Sequence, residues 1–122
     1  MLNVSGANML RLFSFSGRAS RGEWWVLNLV VGLPVWIGYQ GTPRGYEAGF
    51  LEFALLAAIV VVATWLLAAV SVRRLHDRNM KWTYFLLSFI PAAGTGWLTV
   101  ECGILPGTAG PNEFGAHAYR LD

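Results

Sequence analysis

Charged residues fall in clusters along this chain and leave three apolar runs between them, residues 24–40, 53–72 and 82–100. At 1.5 Å per helical residue each run covers most or all of a hydrocarbon core of about 30 Å. The pattern predicts an all-α polytopic membrane protein: three transmembrane helices, a short N-terminal interfacial segment and a turn-rich C-terminal tail, in one membrane domain, 1–122.

The boundaries follow from local chemistry. Ahead of the first run, Met9, Leu10, Leu12, Phe13 and Phe15 mix with Arg11, Arg18 and Arg21, and Ser16-Gly17 breaks the patch. A segment lying on the bilayer is expected there. Ser20-x-x-Glu23 then fits a capping box, with each side chain bonding the other residue's backbone N–H, so a helix should start at this point. Pro34 sits inside the first run and should bend it by removing one backbone donor. Asn28 is that run's only strongly polar side chain. Arginines before an apolar run also fit a signal peptide, but the leader is long and no small-residue cleavage site follows. Gly41, Gly45 and Gly49 have the spacing of a helix-contact motif, yet Pro43 and nearby charges make 41–52 a loop. In the second run, Ala54, Ala58, Thr64 and Ala68 suggest a packing stripe. The third run holds Pro91, Gly94 and Gly96, so it should be broken or bent; a re-entrant hairpin is the alternative to a crossing. The tail, with Pro106, Gly107, Gly110 and Pro111, is too turn-rich for helix.

Composition supports the membrane reading: 55% of residues are hydrophobic and 13% charged, against about 25% charged in a soluble domain. Seven of the nine basic residues (Arg11, Arg18, Arg21, Arg73, Arg74, Arg78, Lys81) lie in the N-terminal segment and the 73–81 hinge. The positive-inside rule puts both in the cytoplasm of a bacterial inner membrane. Glu47, Glu52, Glu101, Glu113 and Asp122 then fall outside, with the C-terminus outside after three crossings. Trp24, Trp25, Trp82 and Tyr84 would form an aromatic belt at the inner interface. A lone Cys102 excludes an internal disulfide and reads as a small apolar residue. Nucleic acid is not an expected partner.

Four pieces of the sequence resemble the bacterial small integral membrane proteins called "domain of unknown function 805". They are Phe15 to Trp25, Arg73-Arg74-Leu75-His76-Asp77-Arg78-Asn79, Pro91 to Gly94, and Pro106 to Asn112 with Phe114-Gly115. The resemblance spans almost the whole chain and implies an inner-membrane location and a few spans; it brings no activity, substrate or cofactor with it. The chain departs from the family's pattern at Met80-Lys81-Trp82-Thr83, where a small pair is usual. It also departs at Glu113, where an arginine is usual, and at His117-Ala118, near an expected Asp-Pro.

The candidate chemistry sits in the hinge. If the second helix continues through it, Arg73, His76 and Asp77 share a face and Arg74 reaches Asp77 one turn on. Arg18 and Arg21 should meet Asp77 across the inner surface, and Glu23 should meet Arg73 or Arg74. The cluster Arg18, Arg21, Arg73, Arg74, His76 and Asp77 is therefore expected to bind lipid headgroups or a membrane-protein partner, another copy of the chain included. The plainer alternative is that it ends a helix and fixes topology. One His and one carboxylate are too few for a metal, no nucleophile adjoins His76, and neither catalysis nor a cofactor is expected. A second hypothesis, a small oligomeric transporter or channel, would use the broken third run and Glu101.

Overall fold

The computed structural model describes residues 6–118, which are helical and contain no strand beyond an isolated pairing of Asn112 with Gly115. Helix α1 (Gly6–Arg11) is followed by α2 (Arg21–Leu27), whose first turn Ser20 caps by accepting from the Glu23 N–H at 3.2 Å. Only half of the expected capping box forms. The Glu23 carboxylate turns away to two arginines, whose charge-assisted bonds outweigh a bond to one backbone amide. The chain continues through a π-helical turn (Asn28–Gly32) into α3 (Leu33–Gly41). This wide turn answers Pro34: the ladder opens just ahead of the ring that cannot donate and would crowd the carbonyl four residues back. Asn28 is satisfied locally, donating to the Trp24 carbonyl at 2.8 Å.

Helix α4 (Phe50–Asp77) is the one described helix long and apolar enough by itself to cross a membrane, where three such runs were expected. Its 28 residues extend about 42 Å, some 12 Å more than a hydrocarbon core. The turns left over are those carrying Arg73 to Asp77. Only 17% of its most apolar stretch is buried, and Leu51 and Val61 are 76% and 67% exposed. Trp24 lies against Ser71, and Gly32 faces Leu67, so the first helical run packs antiparallel to α4. Of the expected stripe, Ala54, Ala58 and Thr64 are exposed and Ala68 half-buried; Ala63 and Ala69 take the buried places.

Helix α4 ends in a Schellman motif. Asn79, at φ 60°, donates to the His76 carbonyl at 2.9 Å and Met80 to the Leu75 carbonyl at 2.9 Å. A 3₁₀ helix (Trp82–Phe89), a break at Pro91-Ala92, helix α5 (Ala93–Thr99) and a second π turn (Val100–Ile104) follow. This segment leaves the end of α4 and returns to it: Met80 is bonded at Leu75, while Glu101 meets Arg78 and the Cys102 carbonyl meets Arg74. It is a helical hairpin. Its outgoing arm of 8 residues rises about 16 Å, half a hydrocarbon core. A Cβ on Gly94 would run into the Leu87 and Ser88 carbonyls, so the two arms touch backbone to backbone there. Of the two paths expected over 82–100, the chain takes the return, because Pro91 and the positive φ of Ala92 turn it.

The tail follows the hairpin back. Glu101 pairs with Arg78, and the Glu113 N–H donates to the Asn79 side chain at 3.3 Å, so both residues lie at the basic end, not opposite it. Asp122 lies outside the described residues. The core, in turn, is compact and local: Ala19, Trp24, Leu27, Val70, Leu75 and Cys102. Trp24 belongs to this core and not to an interfacial belt, because its ring fills the space beside Val70 while its N–H reaches Ser71 Oγ at 3.0 Å. Trp25, Trp82 and Tyr84 are exposed as an interfacial belt requires.

Candidate functional site

At the end of α4 the usual order of a protein interior is reversed. Among the described residues the largest fully buried side chains include Arg73, Arg74 and Glu23, with 0%, 1% and 1% exposure. Buried charge is tolerated when it is paired and hydrogen-bonded. Two carboxylates organise it.

Glu23 Oε1 accepts from Arg73 Nη1 at 2.6 Å and from Arg11 Nη2 at 2.8 Å, which ties the first helix and the N-terminal segment to α4. The Ala19 N–H donates to the Arg73 carbonyl at 3.1 Å beside this pair. Asp77 holds Arg18 and Arg74, one on each oxygen: Arg18 Nε donates to Oδ1 at 2.9 Å, and Arg74 Nη1 donates to Oδ2. The pairings anticipated between Arg18 and Asp77, Glu23 and Arg73, and Arg74 and Asp77 all form. Arg21 does not reach Asp77; it is exposed and donates to the Ile104 carbonyl at 3.0 Å.

The remaining guanidinium donors take backbone carbonyls of the returning chain. Arg18 Nη1 reaches Gly110 O at 2.7 Å and Gly115 O at 3.1 Å, and its Nη2 reaches Thr108 O at 2.7 Å. Arg74 donates to Cys102 O at 2.8 Å and Leu105 O at 2.6 Å, and Arg78 to Pro106 O at 2.6 Å. His76 Nδ1 lies 3.0 Å from Gly17 O, and its ring stacks on Phe114 with centroids 4.1 Å apart and planes 1° from parallel. Asn112 Nδ2 donates to the His76 carbonyl at 2.9 Å, and the Thr108 N–H to the Asp77 carbonyl at 2.7 Å. Gly107 lies on the Arg74–Asp77 pair so closely that a Cβ would collide with the carboxylate and come within 2.9 Å of Arg74 Nη1.

The six candidate residues are thus gathered at one end of the molecule, with Asn112, Phe114 and the tail carbonyls as partners that sequence reasoning overlooked. A glycine-rich tail offers unblocked carbonyls, and buried arginines need acceptors; that match was the available signal. Cys102 is fully buried and burial pushes its thiol up to about 12, so it stays protonated and unreactive at neutral pH. Among the described residues no three His, Cys, Asp or Glu side chains gather to hold a metal. Between the tail and the start of α2 a polar cavity of about 280 Å³ remains, walled by Arg18, Arg21, Arg74 and Asp77 with Thr108 and His117.

A family described as "Protein of unknown function (DUF805)" matches residues 12–116, the stretch that holds the cluster, the hairpin and most of the docked tail. The chain belongs to this family. It is 34% identical to "Inner membrane protein YhaI" of Escherichia coli (strain K12) over 103 residues, covering 83% of this chain and 82% of that relative. It is 27% identical to "Uncharacterized protein YiiR" of the same strain, with 85% of each chain covered. No solved structure matches.

Proposed function

We propose that this DUF805 chain is a bacterial inner-membrane protein that works by binding, not catalysis, and that its basic end engages anionic lipid headgroups at the cytoplasmic face. The relative named as an inner-membrane protein supports the location, and the exposed apolar length of α4 supports insertion. The proposed topology is two crossings, one by the run Arg21–Gly41 and one by α4, with a hairpin that enters and leaves on the basic side. The hairpin's outgoing arm is too short to cross, and its two ends meet at Arg74 and Arg78. Positive-inside then gives both described ends of the chain to the cytoplasm.

The observation that carries the binding role is the division of labour among the basic residues. Arg18, Arg73 and Arg74 are buried and hold the fold together, whereas Arg21 and Lys81 are exposed and Arg78 partly so, at the level where headgroups lie. Basic residues near an anionic surface contribute about 1 kcal/mol each. Replacing Arg21 and Lys81 together by alanine should weaken association of nanodisc-embedded protein with added phosphatidylglycerol about 30-fold at low salt, and less at high salt. Native mass spectrometry of retained lipid reads this out; equal retention by the variant would sink the proposal. The transport hypothesis would have to use a Glu101 that lies at the basic end and is paired with Arg78 at 2.7 Å.

A further inference from the structure

The polar cavity beside Asp77 has a charge imbalance that selects a ligand class. Its walls carry the three guanidinium groups of Arg18, Arg21 and Arg74 against the single carboxylate of Asp77, an excess of two positive charges. The Asp77 carboxylate is already counted in that excess, and each of its oxygens accepts from an arginine of the same wall.

We propose that this cavity is a site for a phosphate monoester, carried either by a lipid headgroup or by a soluble ligand; the inference rests on the headgroup-binding reading above and narrows it. A dianionic monoester cancels the excess, whereas a diester leaves one charge uncompensated. Donors are available in the right place. A guanidinium has five N–H groups; Arg74 uses one on each nitrogen, which leaves one on Nη1 and one on Nη2. Arg21 spends only one Nη1 donor, on Ile104 O, and keeps the rest of its fork. Planar forks of this kind match phosphate oxygens two at a time.

The walls are also fixed in advance. Arg18 is held by Asp77 and three tail carbonyls, Ser20 Oγ by the first turn of α2, and Gly107 by direct contact with the Arg74–Asp77 pair. Little ordering remains to be done on binding. The exposed residues Arg21, Ala109, Gly110 and His117 form the outer wall, and the volume accommodates several water molecules or one phosphate with its adjoining ester atoms.

The test uses the full chain in nanodiscs of zwitterionic lipid doped with phosphatidic acid, a monoester, or phosphatidylglycerol, a diester, and separately titrated with glycerol 3-phosphate. Selective retention of phosphatidic acid over phosphatidylglycerol is expected. Arg21→Gln, which removes an exposed side chain, should weaken it about tenfold. Ala109→Glu, which puts a carboxylate on the outer wall and deletes no contact, should abolish it. Both variants should keep the wild-type melting temperature. Binding of glycerol 3-phosphate as well assigns the site to a soluble ligand, and its failure to bind assigns it to the lipid; either supports the site. Equal retention of the two lipids overturns the cavity while leaving the surface reading intact. So does a phosphatidic acid preference that neither variant alters. Retention of neither lipid overturns both.

Discussion

Asp77 is the residue on which most of the basic end turns. It neutralises Arg18 and Arg74 at once, and its backbone carbonyl receives the tail at Thr108. Removing one member of a buried ionic group costs about 3–5 kcal/mol, because its partners are left charged and unsolvated. Asp77→Asn should therefore lower stability by about that amount in denaturant-induced unfolding of the detergent-solubilised protein. Glu101→Gln is the contrasting case. The Arg78–Glu101 pair retains 23% and 16% side-chain exposure, so its loss should cost about 1 kcal/mol or less in the same assay. Gly107→Ala tests the closeness of the tail: its methyl meets Asp77 and Arg74 directly, and the tail should become sensitive to protease without any charge having been changed. The pairs Arg18–Asp77 and Arg74–Asp77 were legible in the sequence, and Glu23's partner was narrowed to Arg73 or Arg74, because isolated charges beside apolar runs have few partners to choose from. Arg21's choice of a carbonyl was not, since it depends on where the chain goes 83 residues later.

Among elements, the hairpin of 82–104 shows where composition stops informing. Nineteen uncharged residues fit a crossing as well as a return, and hydropathy does not distinguish the two. What decides is the turn at Pro91-Ala92 and the backbone contact at Gly94, which brings the arms together. Replacing Gly94 by valine should force those arms apart and release the Cys102 thiol from its buried place; alkylation of Cys102 by a maleimide, absent in the folded wild type, measures this. The first helix was more readable. Its N-cap at Ser20 and its disturbance at Pro34 both stand where the sequence put them, although the disturbance is a π turn and the helical path continues. The second helix was legible over 53–72; its run through the hinge stood in the sequence only as a condition, and its start at Phe50 falls inside the expected loop 41–52.

At the scale of the whole molecule, apolar side chains face outward along α3 and α4 while guanidinium groups fill the interior of one end. Such a distribution suits a chain whose apolar surface meets lipid and whose polar end must satisfy itself. The topology has a direct test in single cysteines placed on a Cys102→Ser background. Cysteines at Phe13 and Ala116 should react from the same face of inverted vesicles, and one at Thr42 from the opposite face. Labelling of Ala116→Cys together with Thr42→Cys would restore three crossings. The placement expected for the acidic residues fails at Glu101 and Glu113, because charge was counted along the chain while the hairpin carries both back to the basic end.

The docking of the tail also sets an order of events during synthesis. Arg18 leaves the ribosome early, but the Thr108 carbonyl that it binds is made 90 residues later. At about 5–20 residues per second, this is an interval of about 5–18 s in which a guanidinium destined for the interior lacks its tail acceptors and has at most the Asp77 carboxylate, made 59 residues after it. Water, headgroups or the insertion machinery must hold it meanwhile. Maturation thus waits for the tail that follows the hairpin, and a chain cut short before that tail would carry an open cationic end.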